Sequence, residues 1–138
     1  MKNLLHVGLD VGSTTVKIVV MDENLNIIHR DYKRHFSDTK NTICKVLEEL
    51  IEKYTEDEFT IALTGSGAMS AAKFLSLPFI QEVVSCKRAV EKYIPKTDVV
   101  IELGGEDAKI IYFDKSIEQR MNGTCAGGTG AFIDQMAS

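Results

Sequence analysis

The sequence predicts an α/β fold in which a mixed sheet, an antiparallel three-strand meander plus parallel strands, carries helices on its faces. Two observations support this prediction. Three strand patterns follow one another directly at the N-terminus, and amphipathic helix patterns then alternate with further apolar strands. Strands joined by short turns pair antiparallel, whereas strands joined through helices usually pair parallel, so one sheet of both kinds is expected.

The strands of the predicted meander cover residues 4–9, 15–21 and 26–35. The second strand alternates strictly, with Val16, Ile18 and Val20 on one face, which is typical of a strand with one buried side. The first strand is almost wholly apolar and is expected to be buried.

An amphipathic helix is predicted after the meander, capped by Ser37 or Asp38. Its apolar residues recur at helical spacing and are Ile43, Val46, Leu47, Leu50, Ile51 and Tyr54. The later predicted elements are a strand over residues 59–63, helices over 68–75 and 82–93, and a buried strand over 99–103.

We assign residues 1–104 to a first subdomain and residues 105–138 to the beginning of a second. The second part contains a predicted hairpin, a loop rich in glycine with one cysteine, and the start of a helix. These elements are too few to bury a separate core, so we expect a second subdomain that is incomplete within this chain. No internal repeat is evident in the sequence.

Composition restricts the possible functions. The formal net charge of −4 argues against a nonspecific nucleic-acid binder, and no apolar run is long enough to span a bilayer. The N-terminus reads as a strand rather than a signal peptide, and three widely spaced cysteines do not indicate a disulfide framework. We therefore expect a cytoplasmic protein that binds neither nucleic acid nor a membrane.

The first candidate binding motif lies at the turn between the first two strands. Gly12 permits a tight turn whose N–H groups can approach an anion, and Ser13 and Thr14 add hydroxyl donors. Lys17 adds a positive charge, and Asp10 can orient a hydrated Mg²⁺. An ordinary hairpin turn explains this motif equally well when it is taken alone.

A second glycine turn follows the predicted strand over residues 99–103. Gly104 and Gly105 allow the backbone to approach a ligand, and Glu106 or Asp107 can position a water or a metal ion. A solvated loop is the alternative for this turn alone. Together, the two turns suit a cleft that holds phosphate from both sides. Neither a P-loop nor a dinucleotide fingerprint is present.

Cys125 lies in a glycine-rich loop, residues 122–130, directly before a predicted helix. Unpaired N–H groups at such a place stabilise a thiolate, which can react or can ligate an iron–sulfur cluster. A small buried cysteine under a tight loop is the simpler interpretation of this pattern. Cys44 and Cys86 lie within helical patterns and are predicted to pack, and the three histidines show no ligand spacing.

These motifs resemble those of a known group of proteins. The turn from Asp10 to Lys17 and the pair Gly104-Gly105 are similar to the two phosphate motifs of the acetate/sugar kinase, heat-shock chaperone and actin superfamily. The stretches over residues 103–109 and 122–132 are more specific. They resemble the activators of 2-hydroxyacyl-CoA dehydratases and the ATPase subunits of benzoyl-CoA reductase, and the resemblance covers essentially the whole chain.

The resemblance implies an actin-like ATPase fold of two ribonuclease-H-like subdomains that hold Mg-ATP. It also implies a homodimer, or a tandem pair of modules, with one 4Fe-4S cluster at its interface. ATP hydrolysis would then drive a low-potential electron to an acyl-CoA dehydratase-type partner. The residues matched to these roles are Ser13, Thr14 and Lys17 for the first phosphate loop, Gly104 and Gly105 for the second, and Cys125 for the cluster.

The sequence most resembles the long, fused versions of these activators, and the shorter versions usually have Gln where this chain has Glu106. The second cluster cysteine and the adenosine-binding segment are expected beyond Ser138, so this chain alone is expected to bind nucleotide poorly. Two other functions stay open at this point. One is a small-molecule kinase of the same fold, which needs no cysteine loop, and the other is a non-redox, ATP-gated regulatory or assembly module.

Overall fold

The computed structural model describes residues 2–105, 107–113, 118–121 and 129–138. Contacts between Cα atoms divide the chain into two compact units, one that ends at Ile80 and one that begins at Gln81. The elements in chain order are β1 (Leu4–Val11), β2 (Thr15–Met21), β3 (Ile27–Arg34), α1 (Thr39–Lys53), β4 (Glu58–Thr64), α2 (Ala68–Leu75), α3 (Glu82–Tyr93), β5 (Val99–Leu103), β6 (Ala108–Tyr112), β7 (Glu118–Met121) and α4 (Gly130–Ala137). Across the described segments, no helix combines the length and apolar character needed to cross a membrane.

A four-stranded sheet in the order β3-β2-β1-β4 forms the frame of the first unit. The strands β1, β2 and β3 pair antiparallel in sequence order, and β4 pairs parallel to β1. The predicted meander with an added parallel strand is therefore confirmed. Because the parallel register joins Asp10 to Thr64, the C-terminal ends of β1 and β4 lie side by side.

The hydrophobic core covers one face of this sheet, because alternate residues of a strand point to the same side. The helices α1 and α2 pack on that face. The buried core residues of this unit are Leu5, Val7, Leu9, Val11, Val16, Ile18, Val20, Ile43, Val46, Leu50, Leu63, Ala68 and Ala72. The amphipathic pattern predicted for α1 is confirmed in its centre, but Ile51 was wrongly included, since it is 57% exposed.

The second unit contains α3, the antiparallel sheet β5-β6-β7 and α4. The predicted hairpin is confirmed by the pairing of β6 with β7. The prediction of a buried strand over residues 99–103 is wrong, because β5 is an edge strand of this sheet. Its alternate residues Val99, Ile101 and Leu103 are exposed by 43%, 66% and 53%.

The compact units divide after Ile80, whereas the predicted subdomain boundary lies between residues 104 and 105. The two differ because β5 pairs with β6 along its whole length, from Val99 with Tyr112 to Leu103 with Ala108. Residues 99–103 therefore belong with the hairpin that follows them, and the second glycine turn lies inside a pair of strands. The assignment of subdomains to residues 1–104 and 105–138 stays a prediction.

Candidate functional site

The first glycine turn connects β1 to β2 and is closed by a hydrogen bond from the Gly12 N–H to the Thr15 carbonyl (2.9 Å). Asp10 and Lys17 are register partners on the two strands, and the Lys17 Nζ donates to the Asp10 Oδ2 at 2.9 Å. Their side chains are 36% and 43% exposed, so the ion pair is open to solvent. The turn thus presents a cation and a carboxylate beside the predicted phosphate loop.

A further glycine-containing turn, residues 64–67, lies against this loop. The Gly67 N–H donates to the Val11 carbonyl at 2.8 Å. Gly65 has a φ of 104°, and a Cβ at this position would lie 2.3 Å from the Val11 oxygen and 2.6 Å from the Asp10 Oδ1. Only glycine fits, because both the backbone conformation and the neighbouring carboxylate exclude a side chain. Gly65 therefore shapes the position of Asp10, a role that the sequence did not indicate.

Thr64 adds a second oxygen at the same edge of the sheet. It is the register partner of Asp10 on β4, and its Oγ1 is buried without a hydrogen-bond partner among the described residues. Buried hydroxyl groups normally have a partner. A carboxylate and a hydroxyl are oxygen groups of the kind that hold the water shell of Mg²⁺, so this edge fits the ion that the sequence predicted at Asp10.

The second glycine turn repeats the construction of the first. Glu102 and Lys109 are register partners across β5 and β6, as Asp10 and Lys17 are across β1 and β2. The Gly104 N–H donates to the Asp107 carbonyl at 2.8 Å and closes the turn. The two eight-residue stretches share only the glycine and the lysine at equivalent places, so the repeat became evident only in the strand registers.

The lysines of the two hairpins that contain the glycine turns, β1–β2 and β5–β6, differ in their surroundings. The Lys109 side chain is 7% exposed, and its Nζ lies 2.5 Å from the Glu82 Oε2, 3.5 Å from the Asp107 Oδ2 and 3.9 Å from the Glu102 Oε1. Burial alone lowers the pKa of Lys109, but the hydrogen bond to Glu82 and the charges of the other carboxylates raise it above its ordinary value. Lys109 is thus held in place, whereas Lys17 is accessible.

Asp107, one of the two predicted catalytic carboxylates, folds back over its own turn. A Cβ at Gly104 would lie 2.5 Å from the Asp107 Oδ1, so the glycine makes room for this carboxylate. The other oxygen of Asp107 faces Lys109. The second predicted carboxylate, Glu106, lies outside the described residues, and the catalytic role of both stays a prediction.

The start of α4 is attached to the second turn. The Gly130 N–H donates to the Gly104 carbonyl at 2.7 Å, and Thr129 is fully buried. A Cβ at Gly130 would lie 3.1 Å from that carbonyl oxygen, which explains a small residue at this contact. Cys125 falls in the segment 122–128, which the structure does not describe. The helix α4, which follows that segment, is hydrogen-bonded to the second predicted phosphate loop.

The two described cysteines differ in exposure. Cys44, which was predicted to pack, is exposed on α1, and Cys86 is half-buried on α3. Burial and the nearby charge of Glu102 raise the pKa of the Cys86 thiol, which lowers its reactivity. Within the described ranges, no group of three or more His, Cys, Asp or Glu residues is placed to hold a metal ion directly.

Sequence comparison relates nearly the whole chain to one group of ATPases. The model of the BadF/BadG/BcrA/BcrD ATPase family matches residues 7–138. The chain is 34% identical to the 2-hydroxyisocaproyl-CoA dehydratase activator of Clostridioides difficile, over 94% of this chain and 50% of the relative. It is 31% identical to the (R)-2-hydroxyglutaryl-CoA dehydratase activating ATPase of Acidaminococcus fermentans, over 99% of this chain and 54% of the relative. The chain thus spans about half the length of these curated relatives.

Structural comparison leads to the same group. The chain is similar to the solved activator of the 2-hydroxyisocaproyl-CoA dehydratase from Clostridium difficile with bound ADPNP, with a TM-score of 0.80 and 32% identity. The match covers 96% of this chain and 51% of that protein. The α/β fold of the actin-like ATPase type that the sequence predicted is therefore confirmed.

Proposed function

Because the chain belongs to the BadF/BadG/BcrA/BcrD ATPase family, we propose that it is part of an ATP-binding and ATP-hydrolysing activator of an acyl-CoA dehydratase-type protein. The pair of glycine hairpins is the observation that supports this proposal most strongly. Each hairpin sets a lysine–carboxylate pair beside a tight turn. Backbone N–H groups and lysine ammonium groups are the donors that polyphosphate requires.

In the first hairpin, we assign the phosphate contacts to the turn Gly12–Thr14 and to Lys17. The Lys17 ammonium is bound to Asp10 in this structure. A phosphate group carries more negative charge than a carboxylate and therefore competes for the ammonium. With Lys17 in contact with phosphate, Asp10 and the Thr64 hydroxyl would be the oxygen groups that hold a hydrated Mg²⁺.

In the second hairpin, we assign phosphate contacts to Gly104 and Gly105, and the orientation of the attacking water to Asp107 or Glu106. A carboxylate that positions water must itself be held in one place. Lys109 does this for Asp107, since it is buried and lies 3.5 Å from the Asp107 Oδ2. Lys109 is therefore a structural support of the hairpin in this proposal.

We also propose that the complete protein carries a 4Fe-4S cluster with Cys125 as one ligand, as a homodimer or a tandem pair of modules. Such a cluster supplies one-electron chemistry when it is bound. The resemblance over residues 122–132 supports this part, together with the hydrogen bond between Gly130 and Gly104 that follows the cysteine loop. The cytoplasmic location, and the expectation of no nucleic-acid or membrane partner, stay predictions.

Iron and acid-labile sulfide per chain, measured after anaerobic reconstitution of the full-length protein, test the electron-transfer part. We expect equal amounts of both in the wild type, loss of both in Cys125→Ser and no change in Cys44→Ser. Cys44 is a suitable control because it is exposed on α1, in the other compact unit. A wild-type protein without iron and sulfide would contradict the redox proposal.

The two alternative functions predict a different response to the same variant. A small-molecule kinase of this fold, or a non-redox ATP-gated module, would keep its activity in Cys125→Ser because neither needs the cysteine. ATPase activity measured with and without a dehydratase-type partner separates these cases from the activator. Hydrolysis that supports partner reduction in the wild type, but not in Cys125→Ser, would favour the activator.

A further inference from the structure

We infer that His35 is a positioning residue for the first phosphate loop: its imidazole holds the Gly12 carbonyl and thereby directs the Ser13 N–H toward bound phosphate. This inference rests on the proposed phosphate-binding function of that turn. His35 follows the end of β3, and it is one of the few buried polar residues in the part of the chain that the structure describes. Its residue exposure is only 6%.

Both ring nitrogens of His35 have a partner, and the partners define the tautomer. The Ser37 N–H lies 3.1 Å from the His35 Nδ1, and the Gly12 oxygen lies 3.2 Å from the His35 Nε2. A backbone N–H can only donate, so the Nδ1 must accept and carries no proton. The neutral ring therefore has its proton on the Nε2, which donates to the Gly12 carbonyl.

The geometry of the peptide bond transmits this contact to the ligand side. In a planar trans peptide, the carbonyl and the N–H of the next residue point in opposite directions. When His35 draws the Gly12 carbonyl toward its ring, the Ser13 N–H must point away from the ring. Ser13 is exposed, so this N–H belongs to the open side of the turn, where an anion can bind.

The backbone beside the ring is held in a strained form that keeps the ring beneath the turn. Phe36 and Ser37 have φ values of 46° and 66°, which residues other than glycine seldom adopt. Such strain persists only where surrounding contacts hold it. Those contacts are the hydrogen bonds from the Asp38 N–H to the His35 carbonyl (2.7 Å) and from the His35 N–H to the Thr14 carbonyl (3.1 Å).

Two substitutions separate the contacts of the ring. In His35→Gln, the side-chain amide reaches the place of the Nε2 and can donate to Gly12. In His35→Asn, the amide reaches only the place of the Nδ1, where it can accept from Ser37. Both variants remove the ring, so both lose packing. A purely structural role therefore predicts the same nucleotide affinity in both, at matched stability.

We test the inference with the affinity of the full-length protein for ADPNP, measured by calorimetry next to thermal unfolding. His35→Asn should bind about tenfold more weakly than the wild type, which is the loss of roughly one hydrogen bond, and His35→Gln should stay close to the wild type. The control is His29→Gln, because His29 lies on β3, the strand that ends just before His35, and contacts Lys53 instead of the turn. Its affinity should not change.

Equal affinities of His35→Gln and His35→Asn would overturn the inference, as would a loss that only follows thermal stability. If His35→Asn does not fold, the tautomer of the wild-type ring tests the inference instead. Long-range proton–nitrogen NMR correlations show which ring nitrogen carries the proton. A proton on the Nδ1 would overturn the inference, whereas a proton on the Nε2 and a shift of the Ser13 amide on addition of ADPNP would support it. A wild-type protein that does not bind ADPNP would instead overturn the proposed function of the turn.

Discussion

Replacing Gly65 with alanine should destabilise the first unit and disturb Asp10. The new Cβ would lie 2.3 Å from the Val11 carbonyl oxygen and 2.6 Å from the Asp10 Oδ1, both far inside a normal contact distance. The carbonyl belongs to the backbone of β1, so it cannot rotate away as a flexible side chain can. Alanine would also have to adopt a φ of 104°.

The expected magnitude follows from these two effects. An unfavourable backbone conformation of this kind costs about 1–3 kcal/mol, and forcing extra atoms into a packed site costs about 1–3 kcal/mol more. We therefore expect the free energy of unfolding to fall by about 2–6 kcal/mol, and the melting temperature by roughly 7–20 °C. Affinity for ADPNP should fall as well, because Asp10 and the Val11 carbonyl would move together.

Urea unfolding followed by circular dichroism measures this loss. Gly8→Ala is the control, because Gly8 lies on β1, the strand that Gly65 contacts, and a Cβ there would have no heavy atom within 4 Å. That variant should be neutral or more stable by up to about 1 kcal/mol, since glycine loses more backbone entropy in a strand. If Gly65→Ala remains within about 0.5 kcal/mol of the wild type, the steric argument is refuted.

Three further predictions concern the charged and sulfur groups. In the full-length protein, Lys17→Ala should weaken ATP binding about tenfold or more by calorimetry, and an unchanged affinity would remove Lys17 from the site. Lys109→Met should lower stability by about 1–3 kcal/mol at neutral pH, because three partly exposed carboxylates lose the buried cation between them. Since folding raises the pKa of Lys109 above 10.5, its contribution is complete below that pH and is lost as the pH rises through the folded value. Urea unfolding at neutral and strongly alkaline pH should show the difference shrinking, and a constant difference would contradict this. Iodoacetamide should label the exposed Cys44 faster than Cys86, whose thiol pKa is raised, and equal rates by mass spectrometry would argue against that environment.

Local elements could be predicted from the sequence because their signals are local. The helices over residues 68–75 and 82–93 have the same bounds in the structure, and β2 does as well. The sheet to which β5 belongs could not be predicted. An apolar run such as residues 99–103 suits any sheet, and its pairing with β6 depends on contacts that no local pattern encodes.

The predicted site shows the same division. Asp10, Gly12 and Lys17 could be proposed from the sequence because they lie within one turn, where neighbouring residues indicate the chemistry directly. Their role in binding stays a prediction. Gly65 and His35 could not be found, since each acts on residues that are distant in the chain and become adjacent only through the registers of β1 with β4 and of β2 with β3. The three histidines looked alike in the sequence, and burial beside the Gly12 carbonyl distinguishes one of them.

The two lysine–carboxylate pairs lie at equivalent positions of their own hairpins but should respond differently to ionic strength. Mobile ions screen exposed charges over about 8 Å at physiological salt, whereas buried charges are screened much less. The Lys17–Asp10 pair is more than one-third exposed on both sides, while Lys109 is almost enclosed by its carboxylates. Salt should therefore loosen the first pair and leave the second intact. The β1–β2 hairpin therefore holds a lysine whose ion pair depends on the surrounding electrolyte, whereas the ion pairs of the lysine in the β5–β6 hairpin do not.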